Sequence, residues 1–416
     1  MPAELHNSRR HWVMLGVSLM ATLCATVFVK GIAFLIPVLD REHDVSLAGA
    51  ALMSALPGAG MLVTHIGWGY LLDRTGERTV LTTGLALTAC AAFGAATVPP
   101  SGWPQALCLF VGGMSAASVY TASGPLVTGW FPPHQRGLAM GIRQTAPPLG
   151  VAMAAMVLPE LGDRSLSSAF VFCATLCGSA ALLCAVTVRN PAWPETTDAC
   201  RDASVGPYRG TSVLWRIHLA SALLMVPQTV VFTFMLVWLI EARGWSVAAA
   251  GAVVSVSQLL GAVGRIVVGR WSDRIGSRTS PIRRIAASAV VVLLFTALTD
   301  LLQSPFAVPL MVAASVITSL DNGLAFTAIA EFAGRHWSGR AMATQNTTQT
   351  IAAAAGPPVF GEVIELAGYP LAFAVCGLFP LLALPIVPLH TGRRQARHTS
   401  PSDARTQRPD LDPQAA

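Results

Sequence analysis

Apolar residues run along this chain in long blocks parted by short polar stretches. A bilayer core about 30 Å thick is crossed by roughly 20 helical residues at about 1.5 Å each. On that length the blocks predict helices over residues 12–39, 47–71, 79–98, 104–130, 136–159 and 167–188. A second set is predicted over 213–240, 246–270, 284–302, 306–333, 340–366 and 370–389. The stretch between the sets, Arg189 to Ser212, holds three prolines and six charges. The expected organisation is a tail over 1–11, a six-helix bundle over 12–188, a linker over 189–212, a second six-helix bundle over 213–390 and a tail over 391–416. The last tail is rich in Arg, Pro and Gln and is expected to be disordered. The fold class is therefore all-α integral membrane, with twelve transmembrane helices.

Composition agrees. Of 416 residues 53% are apolar and 12% charged, against about 25% charged in a soluble domain. The net charge of +6 comes almost wholly from arginine, because Lys30 is the only lysine. Those arginines lie in short loops between apolar blocks, which points to anionic lipid headgroups and the positive-inside rule, not to nucleic acid. If the N-terminus is cytoplasmic, twenty arginines lie inside and only Arg41, Arg164 and Arg243 outside, with Arg143, Arg216 and Arg265 within spans. Both termini are thus expected in the cytoplasm of a bacterial-type inner membrane.

Several classes drop out. Ser8-Arg9-Arg10-His11-Trp12 has the look of a twin-arginine export signal, but the apolar run from Val13 to Leu39 is too long for a cleaved signal core. Seven of eight cysteines fall inside apolar blocks, with Cys200 in a loop, and they read as small packing residues. No zinc spacing occurs, no phosphate-binding loop surrounds Lys30, and neither His-Glu-x-x-His nor Gly-x-Ser-x-Gly is present. No cofactor, metal or ATP is expected, nor an enzyme. The expected partners are a small solute, the lipid bilayer and a coupling proton, in a monomer.

The most informative pattern is an internal repeat. Gly69-Tyr70-Leu71-Leu72-Asp73-Arg74-Thr75-Gly76-Glu77-Arg78 follows the second span. Gly269-Arg270-Trp271-Ser272-Asp273-Arg274-Ile275-Gly276-Ser277-Arg278 follows the eighth, 200 residues later. Both read Gly-x-x-x-Asp-Arg-x-Gly-x-Arg. Ala139-Met140 and Ala341-Met342 echo the repeat at the starts of spans five and eleven, at an offset of 202. The decapeptide resembles the loop signature of the major facilitator superfamily, although Glu77 stands where that family usually has Arg or Lys. The resemblance covers residues 12–389 and implies two six-helix bundles, each of inverted three-helix repeats, around a central cavity.

Each signature residue has a physical reading. Gly76 and Gly276 are expected at positive φ in a tight reversal, and Gly69 and Gly269 permit close helix approach. Asp73 and Asp273 can accept hydrogen bonds from the free N–H groups of a facing helix N-terminus. Arg74, Arg78, Arg274 and Arg278 complete the set. By the resemblance, these contacts hold the cytoplasmic side shut and break when the halves rock. Arginines kept there only to fix topology would need neither aspartate nor glycine.

Charges inside a membrane are costly and therefore informative. Lys30 lies roughly 13 Å below the outer end of span one, Arg143 about 10 Å into span five and Asp321 roughly 15 Å deep in span ten, with Arg265 shallow in span eight. Gln144, Gln228, Gln258, Asn322, Gln345, Asn346 and Gln349 add buried amides in spans five, seven, eight, ten and eleven. Spans three, six, nine and twelve, peripheral in the superfamily, contain no charged residue and no Gln or Asn in their interiors. That segregation is expected of a wet path walled by the other eight. A guanidinium forks onto a carboxylate, so the expected substrate is a small organic anion held by Arg143 with Lys30 or an amide opposite. Asp321 is the candidate proton site, with Arg265 its expected partner, and His65 and His218 are secondary candidates. The other uses stay open: snorkelling for Arg265 and Lys30, helix-to-helix bonding for the amides.

Two resemblances pull in different directions. Arg136 to Gln144 resembles helix five of cyanate-permease-like and organic-anion members. Ala146-Pro147-Pro148-Leu149-Gly150 resembles the Gly-Pro-x-x-Gly element of drug/proton antiporters, which keeps efflux by proton antiport as the alternative.

Overall fold

The computed structural model describes residues 2–42, 47–100, 102–191, 206–209, 211–334 and 336–388. Every regular element among them is helical. The first half comprises α1 (Pro2–Gly31, prolonged through Ile36–Glu42), α2 (Leu47–Thr75), α3 (Glu77–Thr97), α4 (Trp103–Trp130), α5a (Arg136–Arg143), α5b (Ala146–Arg164) and α6 (Leu166–Thr187). The second comprises α7 (Val213–Val237), α8 (Val247–Ile275), α9 (Thr279–Leu301), α10a (Ala307–Ile317) and α10b (Asn322–Ala333). A final run, Ser338–Cys376, reverses at Gly368. Residues 338–367 are α11, and 369–386, closing with Leu378–Ile386, are α12.

Ten helices among the described residues are long and apolar enough to cross a membrane. The fifth crossing is split between α5a and α5b, and the last helix contains two crossings because φ is 79° at Gly368. The described residues therefore make twelve passes. The same device closes the signature turns: φ is 81° at Gly76 and 66° at Gly276, as expected of reversals that only glycine makes cheaply.

Two spans expected to be continuous are broken. Pro147 and Pro148 lack N–H groups and crowd the preceding turn, so α5a ends at Arg143 and α5b restarts at Ala146. In span ten the Thr318 and Ser319 hydroxyls donate to the Ala314 and Val316 carbonyls, each at 2.8 Å. Those bonds compete with the helix ladder where α10a stops.

Apolar packing divides the molecule. One core cluster, with Phe28, Leu81, Leu126 and Phe170, draws only on α1–α6 and the residue that follows. Another, with Trp238, Met311, Phe360 and Phe373, draws on the second half. The outer faces carry exposed large apolar side chains such as Leu52, Val63, Leu182 and Leu260, as lipid contact requires. The seven described cysteines are free, and Cys200 lies outside the described residues.

In each half the first helix start meets a helix end. His11 packs on Trp130, Trp130 Nε1 donates to the Arg189 carbonyl at 2.9 Å, and Arg216 Nε donates to the Ile386 carbonyl at 2.8 Å. This side, which also bears both signature turns, is here the loop side. There α5a packs on α8 and α10b, while α11 packs on α2 and α4. On the opposite side the principal neighbours of α5b are α1 and α6, of its own half.

Candidate functional site

Each signature aspartate caps a helix of the other half. Asp273 accepts from the Gly137 N–H at 2.9 Å and the Leu138 N–H at 2.8 Å, at the start of α5a. Asp73 accepts from the Gly339 N–H at 2.7 Å and the Arg340 N–H at 3.3 Å, at the start of α11, and from Arg340 Nε at 2.7 Å. A side chain on Gly269 would collide with the Gly137 carbonyl oxygen, and one on Gly69 would stand 2.6 Å from that of Gly339. Backbone therefore touches backbone at both crossings, which is why glycine is needed there.

The two loops differ in their arginines. Arg278 donates to Asp273 at 2.6 Å, to Glu331 at 3.0 and 3.1 Å and to the Pro133 carbonyl at 2.6 Å. Arg136 adds a looser contact to Glu331 at 3.8 Å. Burial alone would weaken the Arg278 guanidinium, but Glu331 and Asp273 beside it raise it above its ordinary value. Arg78, its counterpart, turns instead to the Ala185 carbonyl of its own half. Arg74 lies over the Tyr70 ring at 4.1 Å, and Arg274 is exposed.

Beyond the latches lies the break in span five. Arg143 is 2% exposed, and its guanidinium donates to Ser123 Oγ at 2.6 and 3.0 Å and to Gln144 Oε1 at 2.9 Å. The Phe326 ring faces it at 5.9 Å. From the other half, Arg265 donates to the Gln144 main-chain carbonyl at 2.8 Å and to that of Ser319 at 3.0 Å. Two guanidiniums thus flank Gln144, and among the described residues neither forms an ion pair. The expected pairing of Arg265 with Asp321 is not formed: Arg265 is drawn to carbonyls freed where helices break. Asp321, 2% exposed, turns into the second half and lines a small cavity with Ser221, Thr279 and Val387.

The amides form a chain. Tyr208 O–H and His218 Nε2 are 2.9 Å apart, and His218 Nδ1 lies 2.8 Å from Gln345 Oε1. Gln345 and Gln349 both donate to Ser221 Oγ, at 2.5 and 2.9 Å. Gln349 also donates to Asn322 at 3.1 Å, and Asn322 donates to Gln228 Oε1 at 2.9 Å. That last acceptance leaves the Gln228 Nε2 donors free of the chain. Asn346 bridges the halves by donating to the Tyr120 carbonyl at 3.2 Å. Gln258 is half-buried on α8 and joins none of these bonds.

Lys30 stands apart. It is exposed, one turn beyond Thr26. A side chain on its neighbour Gly31 would meet Ala154 and Leu158 of α5b, which places Lys30 roughly 15–20 Å along the axis from Arg143. The expected clamp of Lys30 opposite Arg143 is therefore not assembled here. Ser123, Ser221, Glu331 and Tyr208 were not singled out in the sequence. Serines are common at helix contacts, and only the fold shows which of them face a cation or an amide.

The chain matches the profile described as Major Facilitator Superfamily over residues 18–357. It is 53% identical over 378 residues to an uncharacterized MFS-type transporter of Mycobacterium tuberculosis, covering 91% of this chain and 85% of the relative. It is 25% identical over 414 residues to the probable sulfoacetate transporter SauU of Cupriavidus necator, covering 92% and 95%. The structure of the proton:xylose symporter XylE superposes with a TM-score of 0.73 at 16% identity, over 91% and 95% of the two chains. At that identity the likeness speaks for the fold.

Proposed function

The chain belongs to the Major Facilitator Superfamily, and from that premise we propose that it is a proton-coupled carrier of a small organic anion, a carboxylate or sulfonate. It is a secondary transporter and not an enzyme. The observation that carries the anion reading is Arg143: a fully buried guanidinium held by neutral groups, with a second cation, Arg265, across Gln144. A cation held in a membrane bundle by neutral groups alone is costly, and an anionic ligand seated on it would offset that cost. The free Gln228 donors favour the same charge, and the likeness to a probable sulfoacetate transporter supports it.

In this reading residues 12–188 and 213–390 are the two moving bodies, and the loop side is the cytoplasmic face of a plasma membrane. The anion enters past Lys30 from the outside and docks on Arg143. The halves then rock, parting Asp73 from α11 and Asp273 from α5a. Asp321 takes the coupling proton, in the sense of symport, and the carrier works as a monomer.

The test is flux into proteoliposomes under an imposed pH gradient, with carboxylates and sulfonates screened beside cationic drugs. Uptake of an anion is expected to be driven by external acid and abolished in Arg143→Gln. Cationic-drug movement indifferent to that substitution would replace this reading with efflux by proton antiport.

A further inference from the structure

A second basic site lies away from the transport path. On the loop side an open cleft runs between the start of α5a and the end of α8. It is lined by His134, Gln135 and Leu138 of the first half and by Arg270, Asp273 and Arg274 of the second. Asp273 is already engaged, by two N–H groups of α5a and by Arg278. Arg270 and Arg274 are not. Both are exposed, one turn apart on α8, and among the described residues neither makes a hydrogen bond, an ion pair or a ring contact. The first repeat is different at this point: Tyr70 replaces Arg270, and its ring takes up Arg74 at 4.1 Å. The second repeat thus presents two unengaged guanidiniums where the first satisfies its one internally.

Their position on the helix says what they meet. Val256, Leu260, Val263 and Val267 of α8 are exposed, at 51, 49, 58 and 60%. They follow one another in steps of four, three and four, which is one face of a helix. In a chain that crosses the membrane, such a face lies against lipid tails. Arg270 and Arg274 continue the same stripe by three and four more residues. They therefore stand where tails give way to headgroups.

We propose that this cleft is a binding site for an anionic phospholipid, with Arg270 and Arg274 on its phosphate and His134 and Gln135 facing it from the other half. Because its walls belong to different halves, a headgroup seated there bridges them beside the Asp273 latch. When the halves part on this side the walls separate and the site is lost. A ligand that binds one state shifts the equilibrium toward it, so the lipid holds the loop side closed.

The experiment uses the full-length protein in nanodiscs of phosphatidylcholine with or without phosphatidylglycerol. Retained phosphatidylglycerol is measured by native mass spectrometry, and loop-side opening by a spin-label distance between the start of α5a and the end of α8. At on the order of a tenfold or smaller loss per guanidinium, Arg270→Gln/Arg274→Gln should bind phosphatidylglycerol about thirtyfold more weakly. It should also lose the shortening of the distance that phosphatidylglycerol causes in the unmodified protein. Arg9→Gln/Arg10→Gln, which removes equal charge elsewhere on the same side, should change neither. Equal loss in both double variants would reduce the effect to general surface charge and overturn the site. Displacement of the lipid by inorganic phosphate would overturn it too, by making the ligand a soluble phosphate. Both double variants alter exposed side chains, and an unchanged helical circular dichroism spectrum checks that they fold.

Discussion

Arg278 pairs with Asp273 at 2.6 Å, so the second signature loop is braced within its own half before it reaches α5a. The same guanidinium reaches Glu331 and, across the interface, the Pro133 carbonyl. Arg78 gives Asp73 no such support; Arg340, on the facing helix, supplies it at 2.7 Å. The two latches are related by the repeat but take their bracing arginine from different halves. Arg278→Gln is therefore expected to shift the closed-to-open equilibrium of the loop side roughly tenfold or more toward open, the scale of losing buried charge-assisted bonds. Arg78→Gln should shift it by much less. Accessibility of single cysteines placed on the loop side to a membrane-impermeant thiol reagent reads both, and equal effects would contradict the asymmetry.

Gly269 and Gly137 meet backbone to backbone, and a methyl group at either must push the halves apart. Gly269→Ala should fold, since the contact lies between the halves and not within one core. Its transport is expected to fall by more than tenfold because the loop side no longer closes. Gly251→Ala on the same helix, with nothing within 4 Å of the added carbon, is the matched control and should transport normally. A Gly269→Ala protein with unchanged flux would mean that closure does not need this contact.

The apolar blocks made twelve passes legible, because lipid imposes a length that sequence displays directly. The signature turns were legible too, since a one-residue reversal demands glycine and a facing helix start demands an acceptor. The breaks in spans five and ten were hidden, although Pro147–Pro148 and Thr318–Ser319 supply their causes, because hydropathy registers length and not local hydrogen bonding. The misplacement of Lys30 opposite Arg143 has a similar origin: depth along one helix can be counted, but the vertical offset between α1 and α5b is set by packing such as Gly31 on Leu158. Arg265 looked like a partner for Asp321 on charge alone, and carbonyls exposed at helix breaks proved the closer acceptors.

Ser123 tests the role of Arg143 without removing the charge. Its hydroxyl accepts from Nε and Nη2, which fixes the plane of the guanidinium. In Ser123→Ala the cation remains but its aim is loosened. The half-saturating anion concentration should rise by on the order of tenfold, with the limiting rate less affected, since a hydrogen bond to a charged group contributes about 1.5–3 kcal/mol. An unchanged half-saturating concentration would place the anion away from Arg143.

Asp321 has no cation within ion-pair distance among the described residues, and it looks into the second half beside Ser221 and Thr279. Its carboxyl is therefore available to bind a proton without first breaking a salt bridge. Asn has nearly the same shape but holds no exchangeable charge. In Asp321→Asn, exchange of labelled for unlabelled anion at equal pH should persist, since it needs only the rocking of loaded halves. Accumulation driven by external acid should fall from several-fold to none. For symport the sign is fixed: accumulation in the unmodified protein rises as external pH falls, and in the variant it should be flat. A variant that still accumulates would move the proton site elsewhere, first to His218, whose ring already joins the amide chain through Gln345.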